Sequence, residues 1–120
     1  MFKTAPELVE FDFGCWEGRA WEDIPRTDID AWTAQFANYR PGGGDNLAAM
    51  LARVSNALSA AQQECADGSD VLWITHAGVA RCVQWLLQAA PEQIRRADQW
   101  PRSAPGYGEW VCFALPQATA

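Results

Sequence analysis

The chain has 120 residues, 49% of them hydrophobic and 20% charged, which suits one globular domain and leaves too little length for a second full core. Nine lysines and arginines against 15 aspartates and glutamates give a formal charge of -6, which excludes nucleic-acid binding that works by neutralising backbone phosphates. No apolar run approaches the roughly 18 residues of a membrane span, and Met1 to Pro6 leads straight into acidic sequence, so the chain reads as soluble and cytoplasmic, with no secretory leader.

Along the chain no repeat, low-complexity tract or linker separates domains, and residues 1–120 are expected to form one unit. Leu8 to Phe13 alternates in part, with Val9, Phe11 and Phe13 against Glu10 and Asp12, and reads as a strand or an extended loop before Gly14. Thr27 and Asp30 have capping-box spacing, and Ile29, Trp32 and Phe36 share a helical face, which predicts a helix over about Asp28 to Asn38. Arg40-Pro41-Gly42-Gly43-Gly44 must be irregular. Asp45 is then placed to cap a helix whose apolar stripe, Leu47, Met50, Leu51, Val54 and Leu58, runs to about Cys65.

Asp67-Gly68-Ser69 breaks that helix. Val71-Leu72-Trp73-Ile74 is a compact apolar run of the kind buried on both faces of a parallel sheet, and Val79, Cys82, Val83, Leu86 and Leu87 then resume helical spacing. A short helix over Pro91 to Arg96 and a final strand over Glu109 to Leu115 complete the expectation. The order of helix, buried strand, tight junction and helix predicts an α/β architecture of two or three layers.

Cys15, Cys65, Cys82 and Cys112 form no C-x-x-C pair and are expected to be reduced thiols. With one histidine in the sequence, a structural zinc site is not expected, and a metal contact at His76 and Cys82 is the weaker reading beside a site residue and a core thiol.

In α/β folds ligands gather beyond the carboxyl ends of strands, where helix N-termini present unpaired N–H groups. Thr75-His76-Ala77-Gly78 falls there: small residues after His76 let the backbone approach a ligand, and the imidazole can donate to a phosphate oxygen. Against this stands a histidine that merely satisfies a strand end. Glu10 and Glu17, in the aromatic segment around Gly14, are candidates for a general acid, because a desolvated carboxyl keeps its proton. On spacing alone, solvating a surface turn is the commoner role for such residues. Gly42-Gly43-Gly44 lacks a following Lys-Ser or Lys-Thr, and a plain loop is a better reading than a phosphate cradle.

Taken together, Leu8-x-Glu10-x-Asp12-Phe13-Gly14-x-Trp16-Glu17-Gly18-Arg19, Ile24-Pro25, Trp32, Tyr39-Arg40-Pro41-Gly42-Gly43-Gly44, Arg53-Val54 and Ile74-Thr75-His76-Ala77-Gly78-Val79-x-Arg81 resemble the histidine phosphatase superfamily. Within it they look most like the α-ribazole phosphatase branch. The resemblance implies a three-layer α/β/α phosphoglycerate mutase-like fold. It also implies hydrolysis of a small phosphorylated metabolite, such as α-ribazole phosphate, through a phosphohistidine and without metal or other cofactor. His76 matches the non-nucleophilic histidine of the phosphate pocket, Glu10 the acid that protonates the leaving group, and Ala77 a residue whose backbone N–H reaches the phosphate.

Family members begin with a strand ending in Arg-His-Gly, which carries the nucleophile, and this sequence contains no such segment. The resemblance therefore implies the C-terminal portion of a domain, a partial fold lacking its N-terminal strand. Phosphatase activity is expected to be negligible unless a partner chain supplies that strand. The uncovered sheet is expected to favour self-association or pairing with another chain. A non-catalytic complementation module, or a gene product whose true start lies upstream of Met1, are the alternatives. Asp45-Asn46 stands where relatives usually have Glu-Ser.

Overall fold

In a computed structural model of the chain, residues 4–88, 94 and 96–116 are described. Among them the helices are α1, Arg26–Ala34; α2, Leu47–Glu64; and α3, Ala77–Leu86, with single 3-10 turns at Pro6–Leu8, Gly14–Trp16, Trp21–Asp23, Pro41–Gly43 and Ala97–Gln99. α1 starts two residues before the expected position, on Pro25, whose ring-fixed φ of -54° leads into the first turn, and no side chain caps it. It also stops at Ala34, although Trp32 and Phe36 still stack with ring centroids 5.6 Å apart.

α2 carries the expected stripe but is capped one residue later than expected. Asn46 Oδ1 accepts from Ala49 N at 2.8 Å, because the Asp45 carboxylate is already committed to Asp12 N at 3.0 Å. Its buried face, Leu47, Met50, Val54, Leu58 and Ala61, packs on Val79, Cys82, Val83 and Trp85 of α3. Edge-on and stacked contacts link Phe13, Trp16, Trp21, Trp32 and Phe36, and the chain of rings reaches the α2–α3 core through Trp100 and Trp85. No helix among the described residues is long and apolar enough to cross a membrane.

The α/β expectation is overturned. No strand occurs among the described residues, so neither a sheet nor the partial three-layer α/β/α arrangement is present, and the architecture is helical. Val71 to Ile74 forms no regular element and is not buried on both faces. Trp73 turns onto the core, while Leu72 and Ile74 are 73% and 79% exposed. The segment Glu109 to Leu115 behaves alike, with Trp110 at 83% and Val111 at 51% exposure and Leu115 turned inward. A strand is defined by lateral pairing of its N–H and C=O groups, and among the described residues the only backbone bond to either segment is the local turn bond from Glu109 N to Gly106 O. Leu8 to Phe13 likewise forms no ladder after its opening 3-10 turn, its one bond to a distant backbone group being from Asp45 N to Asp12 O, with Phe11 and Phe13 turned inward and Val9 outward. The expected helix over Pro91 to Arg96 falls largely outside the described residues.

The exposure of these segments goes with an open shape: the radius of gyration is 15.6 Å, against about 13.6 Å for a compact chain of this length. It also leads to a stability prediction. Leu72→Ser and Ile74→Ser should each shift the unfolding free energy by no more than about 0.5 kcal/mol in urea titrations, where side chains buried on both faces would lose about 2–4 kcal/mol.

Candidate functional site

His76 is the N-cap of α3. Its backbone is extended, φ -127° and ψ 162°, its carbonyl accepts from Ala80 N at 3.2 Å, and its imidazole is exposed and makes no capping bond. Ala77 and Gly78 follow in the first turn, where the helix itself offers their N–H groups no acceptor.

Glu10 reaches the same helix end from the opposite part of the chain. Gly78 N donates to Glu10 Oε2 at 3.3 Å, and Phe11 N donates to Oε1 at 2.9 Å. The absence of a side chain at residue 78 permits this, since a Cβ there would run into Glu10 Oε1 and lie 3.1 Å from its Cδ. A carboxylate at this place is also favoured by the partial positive charge of the α3 N-terminus. Thr75 Oγ1 donates to Leu8 O at 2.6 Å and ties the two segments together just ahead of the site.

The structure thus places Glu10 and His76 at one end of one helix, with Ala77 between His76 and the residue that Glu10 touches. It does not enclose Glu10 among aromatic rings. Phe11 and Phe13 pack on each other with ring centroids 4.7 Å apart, and Glu10 stays exposed beside them. Glu17 lies elsewhere: its Oε1 accepts from Phe13 N at 2.9 Å, and it lines a cleft of about 180 Å³ with Phe13, Trp16, Gly18, Arg19, Trp21 and Ile24. Neither Glu10 nor His76 lines that cleft. Arg19, its cation, is engaged with the Asp23 carbonyl.

The glycine-rich loop is not a cradle. Gly42 and Gly44 sit so close to the turn at Gly14 that a Cβ on Gly42 would strike Phe13 O and one on Gly44 would strike Asp12 O. These glycines lock two backbone segments together instead of opening onto solvent.

From the sequence, Arg53 entered only as part of the family resemblance, with no role assigned. It flanks the apolar stripe of α2, and a lone cation there was the available signal. Its Nη1 donates to the carbonyls of Glu7 and Val9, both at 2.7 Å, and its Nη2 stands 3.5 Å from Asp45 Oδ2. At that spacing Arg53 and Asp45 form an ion pair, and the buried Nη2 has no hydrogen-bond partner.

Cys82 lies fully buried further along α3, whereas His76 is exposed, and no group of three or more His, Cys, Asp or Glu among the described residues is arranged to hold a metal ion. Burial pushes the Cys82 thiol from 9.0 up to about 12, against an opposing pull from Arg53 and with a smaller push from Glu10. The thiol is therefore neutral in the native protein where the unfolded chain would ionise. Its contribution to stability is complete below about pH 9 and is lost as pH rises towards about 12. At pH 8 a thiol reagent should label the exposed Cys15 and Cys112 readily and reach Cys82 only on unfolding, as counted by mass spectrometry.

A carboxyl group, an imidazole and backbone N–H donors at one helix end supply a proton carrier and oxyanion contacts, the kit needed for transfer of an acyl or phosphoryl group. Neither a curated protein nor a solved structure matches the chain. A family model, by contrast, matches residues 1–104, nearly the whole of the sequence and both arms of the site. On that match the chain belongs to the histidine phosphatase superfamily, branch 1.

Proposed function

We propose that the chain serves phosphomonoester hydrolysis on a small phosphorylated metabolite, α-ribazole phosphate being the type suggested by its motifs. Glu10 acts as the acid and His76 and the Ala77 N–H act as phosphate contacts. The observation that supports this most is the convergence of Glu10 and the His76-capped turn on Gly78 N, across 68 residues of sequence. In the reaction an imidazole nitrogen forms the N–P bond as the ester P–O bond breaks, and Glu10 delivers its proton to the leaving oxygen. Water then cleaves the phosphohistidine to release phosphate.

His76 is the single histidine of these 120 residues and takes the contact role, so the attacking imidazole comes from outside them, from a preceding segment or another polypeptide. The exposed Leu72, Ile74, Trp110 and Val111 favour pairing with another polypeptide that supplies it, or self-association, and support a complementation module as the second reading. Four free thiols suit a reducing, cytoplasmic setting.

Phosphate release from p-nitrophenyl phosphate tests the assignment. The purified chain alone is expected to give no turnover above buffer, and to gain it on addition of a polypeptide carrying an Arg-His-Gly strand. Turnover by the chain alone that His76→Ala abolishes would reverse the role given to His76.

A further inference from the structure

We propose that Arg53 and Asp45 are a positioning pair that sets where the Glu10 carboxylate meets α3. Glu10 lies in a segment with no ladder to hold it, yet its carboxylate must arrive at one backbone N–H. The segment is pinned on both sides of Glu10. Before it, Arg53 Nη1 gathers the carbonyls of Glu7 and Val9, each at 2.7 Å. After it, Asp45 Oδ2 accepts from Asp12 N at 3.0 Å while Asp45 N donates to Asp12 O at 2.8 Å.

The two pins are joined to each other, since Arg53 Nη2 faces the same Asp45 oxygen at 3.5 Å. Both groups are largely covered, with 21% and 31% of their side-chain surfaces exposed, so the pair is less screened than a surface one. Arg53 rides on α2, whose residues Met50 and Val54 are buried in the core, and this ties the α2–α3 interface to a segment that belongs to no regular element around Glu10. The same arrangement explains why Asp45 does not cap α2.

The inference deepens the reading of Glu10 as the acid and rests on that reading only for what the carboxylate is used for. Its test needs no substrate, so it can fail independently of the proposed reaction. The Gly78 amide proton is followed by NMR across the carboxylate titration range, and the part of its response that Glu10→Gln removes is taken as the Glu10 signal. Arg53→Met, which keeps the stem but no donor, should cut that amplitude about threefold or more, whereas Arg53→Lys, which keeps a donor for the two carbonyls, should retain about half or more.

Unchanged methyl signals from Val54 and Val79 show that the α2–α3 core is intact. Should Arg53→Met not fold, Asp45→Ala decides the matter from outside the core, with an expected reduction of about twofold. A full Glu10 response in a folded Arg53→Met or Asp45→Ala protein overturns the proposal, as does a wild-type Gly78 amide that does not respond to Glu10.

Discussion

Gly42→Ala is expected to destabilise the protein by about 3–5 kcal/mol, a large part of the ~5–15 kcal/mol that holds a domain folded. Two costs combine. Gly42 has φ 66° and ψ 10°, a left-handed conformation that an alanine adopts only at about 1–2 kcal/mol. The new Cβ would also strike Phe13 O and lie 2.8 Å from Trp16 N and 3.0 Å from Cys15 N, all backbone atoms. Those atoms cannot swing aside, because Gly14 and Gly44 interlock from the other side, with Gly44 N 2.7 Å from where a Gly14 Cβ would be. Gly43→Ala supplies the control: its φ of 78° carries the conformational cost alone, with no atom within 4 Å of the added carbon. Urea unfolding of the two variants should separate them by about 2 kcal/mol or more, and equal midpoints would remove the interlock from the account.

Gly78→Ala should do the reverse and damage the site while sparing the fold. Inside a helix alanine is favoured over glycine by about 1 kcal/mol. The atoms its Cβ would meet are the free ends of flexible side chains, the Glu10 carboxyl and Met50 Cε at 3.3 Å. Glu10 is exposed and can rotate into water, losing one hydrogen bond that solvent replaces. The melting temperature is therefore expected to hold or rise slightly. In a preparation given turnover by an Arg-His-Gly polypeptide, the loss of the positioned acid should cost about a hundredfold in rate. A variant that melts early would mean that the Glu10 contact carries stability, and one with full turnover would remove Glu10 from the acid role.

The contrast between these glycines bears on what could be read from the sequence. The stripe of α2 was legible because one repeated spacing determines which face is buried, and α3 was legible for the same reason. The cap of α2 was misread by one residue because Asp45 and Asn46 are both competent caps, and what withdrew Asp45 was a tertiary demand from Asp12 N. Val71 to Ile74 misled in a different way. Four apolar residues in a row do not reveal whether one face or two is covered, and pairing in a sheet depends on a neighbour that local sequence does not name. At the site, the strand-to-helix signal drew attention to His76, and the helix half of it is present. Glu10 stood out from Glu17 only by family resemblance. The interlocking role of Gly42 and Gly44 was beyond any local reading, since it depends on a turn almost thirty residues earlier.

The segment from Glu7 to Asp12 is held to the later parts of the chain by side-chain contacts and the backbone bond from Asp45 N to Asp12 O, which gives the two halves of the site different lifetimes. Breaking a few bonds at Arg53, Asp45 and Thr75 releases that segment while α2 and α3 remain packed, so it can open as a small cooperative unit below the threshold for global unfolding. The fraction of molecules poised with both groups together is then governed by that partial opening, and conditions that leave helicity untouched can still empty the site of its acid.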